Sequence, residues 1–183
     1  MSNNQSHAAL SRTVTEKLRD GRVVTIRPMD RGDIELEREF ITNLSPESRH
    51  FRFLGAVSKP SQKLLEQLTD IDHDRHEAFI ALIQDGSAEK EIGVSHYALD
   101  PDGRSGECAV VVADEWQNMG LGTLLINRLI ETARARGIGS LYSIDSSGNF
   151  KLREVAREMG WECHTDPGDR AQVIYSLDLT AAA

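Results

Sequence analysis

At 183 residues the chain is sized for one ordinary domain and excludes a second of comparable size. With 39% hydrophobic and 27% charged residues, and only 5 prolines and 14 glycines, its composition is that of a globular core, not of a disordered or fibrous chain. Lys and Arg total 21 against 29 acids, a net charge of −8, which argues against a nucleic-acid partner because phosphate binding depends on basic groups that displace counterions.

Residues 1–11 lack the basic start and apolar run of a secretory signal, so residues 1–19 read as a polar tail and residues 20–183 as the single domain. The longest apolar stretch, 109–113, is far short of the roughly 20 residues a membrane helix needs. No membrane partner and a cytoplasmic location are therefore expected. Residues 22–29 set Val23 and Thr25 against Val24 and Ile26 and stop at Pro28, which predicts a first strand. A helix carrying Ile34, Phe40, Ile41 and Leu44 follows, with Asp30 and Asp33 as caps, and Ser45-Pro46 opens a further turn or short helix. Leu64, Leu65 and Leu68 place a short amphipathic helix over 61–69. Two extended apolar stretches, 78–83 and 91–99, read as a hairpin joined by residues 84–90, and the turn Asp100-Pro101-Asp102-Gly103 leads into a continuous apolar strand over 107–113.

Leu121, Leu125, Leu129 and Ala133 form one stripe of a helix over 120–136 that ends at Gly137. A strand over 140–145, a helix over 149–159 stopped by Gly160, and closing strands over 161–164 and 173–179 complete the order. The class is mixed α+β: a central, mostly antiparallel sheet of roughly six to seven strands flanked by about four helices. The helix between the fourth and fifth strands is a crossover, which makes that pair parallel. The two cysteines, Cys108 and Cys163, cannot make a disulfide framework and are expected as reduced thiols in core strands. His73 and His76, three apart in a polar loop without a cysteine partner, read as surface residues, and no metal is expected.

The chemistry is concentrated where the buried strand runs into the long helix, through Gln117, Asn118, Met119, Gly120, Leu121, Gly122 and Thr123. Glycines at a helix start let an anion approach backbone N–H groups that have no helical partner, and the dipole favours negative charge there. A pyrophosphate is the predicted ligand. Neither the three-glycine dinucleotide fingerprint nor a Gly-Lys-Ser/Thr phosphate loop is present.

The pattern Gln117-x-x-Gly120-x-Gly122 resembles motif A of the GCN5-related N-acetyltransferase (GNAT) family, whose loop amides grip the pyrophosphate of acetyl-CoA. The helix led by Asn149 and closed by Gly160-Trp161 resembles that family's motif B, in which the Asn contacts the pantetheine arm; from the residues alone Asn149 is equally a plain N-cap. The resemblance implies the GNAT fold with its two parallel strands splayed, acetyl-CoA as co-substrate and an amine acceptor. Many family members carry a Tyr general acid seven residues after that Asn, and here the position is Ala156. Leu44-Ser45-Pro46-Glu47-Ser48-Arg49-His50-Phe51-Arg52-Phe53, after Ile26-Arg27-Pro28, is similar to the acetyltransferase domain of bacterial Pat-type protein lysine acetyltransferases. That similarity implies a protein lysine as acceptor, an acyl-CoA synthetase being one such partner, without the fused regulatory region those proteins often carry. A small-molecule amine acetyltransferase and a non-catalytic acyl-CoA sensor are the competing readings, and a homodimer stays open.

Amine acetylation needs a base, because a lysine ammonium has a reference pKa near ~10.4. Glu107 starts the buried strand, ten positions before Gln117. Read alone it is an exposed edge residue past a turn; the Pat resemblance implies the catalytic Glu. Partial burial would raise its pKa toward working pH. A backbone N–H of Val110, Val111 or Val112 is the expected oxyanion donor and pantetheine partner. Cys108, next along the strand, should point to the opposite face.

Overall fold

The computed structural model describes residues 13–54 and 59–180, so residues 1–12 of the expected tail lie outside them. In chain order the elements are β1 (Val14–Lys17), β2 (Val23–Pro28), α1 (Ile34–Asn43), α2 (Pro46–Phe53), α3 (Gln62–Thr69), β3 (His76–Asp85), β4 (Ala88–Leu99), β5 (Ser105–Val112), α4 (Leu121–Ala135), β6 (Ser140–Ser146), α5 (Phe150–Glu158), β7 (Glu162–Thr165) and β8 (Gln172–Asp178). Short 3-10 turns, Arg31–Asp33 and Asp114–Trp116, lead into α1 and toward α4. Among the described residues the strands form one sheet of eight in the order β1-β2-β3-β4-β5-β6-β8-β7. Every neighbouring pair is antiparallel except β5 and β6, the pair joined by the crossover α4.

Two boundaries differ from expectation. Val14–Lys17, inside the segment read as tail, pairs with β2 from Val14↔Ile26 to Lys17↔Val23. An edge strand needs only one partner, and this one alternates half-buried and exposed positions, so its polar side chains hide it. The β3–β4 hairpin also runs longer than the apolar stretches, with Asp85↔Ala88 closing a tight turn at Gly86 (φ 64), because its tip projects beyond the packed layers and is polar.

Capping explains where the helices begin. Ser45 Oγ accepts from the Ser48 N–H with Pro46 in the first turn of α2, Ser61 does the same for Leu64 ahead of α3, and Asp30 and Asp33 form a reciprocal capping box before α1. One face of the sheet packs α1, α2 and α3 around Phe40, Ile41, Leu65, Ile80 and Val94. The other packs α4 around Phe79, Ile92, Leu121, Leu125 and Leu129. Each such buried Leu or Phe side chain stabilises the fold by about 1.5–3 kcal/mol. Ile92 is left without a β3 partner by a register slip between Ala81 and Leu82, which turns Glu91 toward α1. Gly93 lets α4 approach closely: a Cβ there would stand 3.1 Å from Leu125 Cδ1 and 3.3 Å from the Val111 carbonyl oxygen.

Candidate active site

β5 and β6 pair at only three positions, Ser105↔Ser140, Gly106↔Leu141 and Glu107↔Tyr142, and diverge from there. The divergence opens a V-shaped cleft of about 280 Å3 between β5, the loop before α4 and the start of α5. On its other edge β5 stays fully paired: the Ala113 N–H donates to the Ile92 carbonyl and the Asp100 N–H to that of Ser105. The alternation of an antiparallel ladder then turns the backbone of Val111 toward Val94 and that of Val110 and Val112 into the cleft. Of the three valines, Val111 thus has its amide committed to β4 and its side chain buried against the α1 side of the sheet.

At the wide end, the loop over residues 117–123 takes two left-handed conformations, Asn118 (φ 62) and Gly120 (φ 88), the latter heading α4. No side chain caps α4, so the first-turn amides of Leu121, Gly122 and Thr123 remain open to a ligand. Gly122 is sterically undemanding, since an added Cβ would lie 3.8 Å from Val112 Cγ2. Met119 and Leu121 turn their side chains to the core, not the cleft. The Gln117 amide donates to the Val112 carbonyl (3.0 Å) and to Ser48 Oγ (3.2 Å), and accepts from Lys151 Nζ (2.7 Å). Asp114 ties α2 to this loop by accepting from the Ser45 N–H, Ser45 Oγ and Ser48 Oγ at 2.7–3.0 Å. Partial burial pushes its carboxyl up, but these hydrogen bonds outweigh that and hold it below its usual range.

A basic residue at this end escaped the sequence reading. Arg19, in the turn between β1 and β2, donates its N–H to the Met119 carbonyl and lays its side chain along Gly120, so that a Cβ there would be 3.5 Å from Arg19 Nε. Its neighbour Arg22 stacks 3.7 Å over the buried Trp116 ring and contacts Met119 Sδ. Arg19 and Lys151 give the open amides of α4 two cationic neighbours, which suits a pyrophosphate.

The closed end holds Glu107. Its side chain is exposed, so the burial that would have desolvated it is not met, and it lines a cavity of about 350 Å3 with Arg52, His96, Ala98 and Asp145. Tyr142, beside it across the parallel pair, donates to Asp100 (3.0 Å), and desolvation together with that carboxylate pushes the phenol up to about 12. His96 Nδ1 lies 3.2 Å from Arg52 Nη2, and since arginine only donates, Nδ1 accepts. Burial first, then the Arg52 charge, hold this imidazole well below its usual value, so it is neutral. Cys108 faces the opposite, α4 side as expected, and burial followed by the Glu107 charge pushes its thiol up to about 12, a poor nucleophile; Cys163, expected in a core strand too, is instead exposed, because β7 is an edge strand with every position facing solvent.

Asn149 is an N-cap: its Oδ1 accepts from the Leu152 N–H (3.2 Å), while Nδ2 donates to Asp145 (3.1 Å) at the cleft wall. Asp145, 7% exposed, is pushed up to about 6 by burial, tempered by hydrogen bonds from Asn149 and the Ser146 N–H. Ala156 is buried against Val173 and Tyr175. Behind the cavity that Glu107 lines, Glu37 and Glu91 are 1% and 3% exposed. Burial and the facing Glu37 push Glu91 well above the carboxylate range; burial also raises Glu37, which Arg52 tempers. Of the two histidines expected in a loop, His76 opens β3, exposed, and His73 bonds to the buried Glu77 at 2.7 Å. No helix among the described residues is long and apolar enough to cross a membrane.

A three-layer sheet forked at one parallel pair, with open helix amides at one end of the fork and a carboxylate at the other, is an acyl-CoA-type transferase architecture. The chain belongs to the acetyltransferase (GNAT) family, whose model matches residues 41–161. It is an acetyl-CoA-dependent N-acetyltransferase. It is 44% identical over 164 residues to the acetyltransferase PA5475 of Pseudomonas aeruginosa, covering 90% of this chain and 88% of that protein. The acetyltransferase Pat of Mycolicibacterium smegmatis is 26% identical over 157 residues, which span 85% of this chain but only 46% of that protein. Among solved structures, the GNAT domain of S. lividans PAT superposes with a TM-score of 0.82 at 23% identity, over 91% of this chain and 96% of that one. Spermidine N-acetyltransferase from Vibrio cholerae, in complex with CoA and spermine, gives a TM-score of 0.65 at 20% identity over 86% and 96%.

Proposed function

We propose that the chain transfers the acetyl group of acetyl-CoA to a primary amine, the side chain of a protein lysine, by direct attack in a ternary complex with Glu107 as general base. The observation that carries this reading is the two-ended fork. Five strand steps separate Glu107 from Val112, about 17 Å, enough to hold a thioester at one end and its pyrophosphate at the other. The pyrophosphate rests on the open amides of α4 between Arg19 and Lys151, and the pantetheine amides run along the cleft-facing backbone of Val110 and Val112.

In the transfer, the arriving ammonium first loses a proton to Glu107. The free amine then attacks the thioester carbonyl, forming the C–N bond, and the charge on the oxygen is stabilised by the Val110 N–H. The carbonyl then re-forms and the C–S bond breaks with its electron pair going to sulfur. The second proton the nitrogen must lose passes to the departing thiolate, giving the amide and CoA–SH. A thiol pKa near ~8.5 makes that thiolate a tolerable leaving group, so Ala156 in place of a proton donor does not stop the reaction. Glu107 and Asp145 on the acceptor side favour a cationic acceptor.

The test is Glu107→Gln with acetyl-CoA and a lysine-bearing protein acceptor. Turnover is expected to fall about 10²–10⁴-fold with the KM for acetyl-CoA within roughly two-fold. Unchanged turnover removes Glu107 from the role, and a free amine such as spermidine acetylated faster than every protein lysine tried overturns the acceptor.

A further inference from the structure

We propose that His96 is a positioning residue for the transfer: in the ternary complex its Nε2–H donates to the Glu107 carboxylate, holding that group ionised and turned toward the incoming amine. This rests on the reading of Glu107 as the base and adds the residue through which that base is set.

β4 and β5 pair Ala98 with Glu107 and His96 with Ala109, so His96 and Glu107 are diagonal neighbours on one face of the ladder. Such neighbours stand within roughly 7–8 Å, in reach of a ring and a long acid. Both line the cavity of about 350 Å3, on the face opposite Tyr97 and Cys108. Among the described residues the imidazole makes one hydrogen bond, the one that Nδ1 accepts from Arg52 at 3.2 Å, and this leaves the ring proton on Nε2. An N–H donor and a carboxylate acceptor thus share a cavity wall, and a substrate that excludes water draws them together.

The ring's partner is a cation for a reason. A carboxylate on Nδ1 would favour imidazolium, which competes with the substrate ammonium for Glu107; a guanidinium only donates, and it repels a second positive charge. The groups facing the ring are Arg52 from α2, His76 from β3 and Glu107 from β5, and Asp145 from β6 lines the same cavity. Glu37 and Glu91 attract the buried Arg52 from behind. The buried acid pair therefore has a use: it secures the arginine that fixes the tautomer.

The experiment compares His96→Gln with His96→Leu across the pH profile of kcat. Both variants deprive Arg52 of its acceptor, and only Gln keeps an N–H near the place of Nε2. A carboxylate that loses a donor takes up its proton more readily, so the acid limb should move up by about one pH unit in the Leu variant. On that limb kcat falls about ten-fold, with the KM for acetyl-CoA within about two-fold. Gln should restore the limb to within about 0.3 unit of wild type. Equal losses in both variants with the limb unmoved mean that His96 only fills space, and overturn the proposal. Glu107→Gln should abolish the limb; a limb that survives it strikes the reading of Glu107 instead. Imidazole 15N shifts of the wild-type chain decide even where a variant fails to fold. A neutral ring with its proton on Nε2 from pH 5 to pH 8 is expected, and an imidazolium at pH 6 or a proton on Nδ1 overturns the proposal.

Discussion

Gly120→Ala separates the loop's conformational demand from its ligand contacts. Gly120 sits at φ 88, where a Cβ costs about 1–2 kcal/mol. The added methyl would meet Arg19 Nε at 3.5 Å and Cγ at 3.7 Å, ordinary contacts that add no clash. For a chain of this length that cost lowers Tm by roughly 2–8 °C. To relieve it, the peptides flanking residue 120 must rotate, and their N–H groups are among those proposed to hold the pyrophosphate. The KM for acetyl-CoA should rise about ten-fold with kcat little changed, the mark of lost uniform binding. Differential scanning fluorimetry reads the first effect and steady-state kinetics the second. Pantetheine, which has no pyrophosphate, is the control: its weaker binding should be untouched. A variant that loses Tm but keeps its KM, or that loses CoA and pantetheine binding equally, would refute the assignment of these amides to the pyrophosphate.

Arg19→Ala should raise the KM for acetyl-CoA about five-fold at low salt, an effect that shrinks as salt is added; a salt-independent change would mean Arg19 only props the loop. For Glu91, folding raises the carboxyl's pKa, so its ionisation erodes stability as pH climbs through the folded value. Glu91→Gln should therefore gain Tm relative to wild type from pH 5 to pH 9, and parallel Tm profiles would contradict this. Asp145, at about 6 when folded against 3.8 for the free group, binds its proton more tightly in the folded chain, so wild-type stability declines across that interval. Discounted for the solvent in the cleft, the decline is about 1–2 kcal/mol, and Asp145→Asn should remove it, narrowing the Tm difference between pH 4 and pH 7 by about 2–8 °C.

Periodicity carried the elements that bury a whole face. The helix expected over 120–136 is α4, Leu121–Ala135, because its leucine stripe meets the sheet, and the strand expected over 107–113 is β5, Ser105–Val112. The glycines and Asn149 stood out because turns and caps accept few residue types. β1 was illegible since half its side chains face water, and with it Arg19, which belongs to no motif and reaches the loop only through the β1–β2 turn. Asp145, His96 and the Glu37–Glu91 pair hid for a different reason. A lone acid or histidine in an amphipathic pattern reads as solvated, and only the packing of α1, α2 and α5 on the sheet takes these groups out of water.

An open sheet ordinarily has two bare edges, one at each end. The fork beyond Glu107 and Tyr142 gives this one a second pair, facing each other inside the molecule. Such edges invite a foreign strand, and proteins usually blunt them with charge or cover. Here the protection is divergence: no flat partner can bond to both walls at once, whereas a slender molecule carrying its own amides can lie along one wall and fill the gap. In the proposed binding mode the fork acts as a shape filter, closed to a strand that would have to bridge both walls and open to a thin polyamide arm.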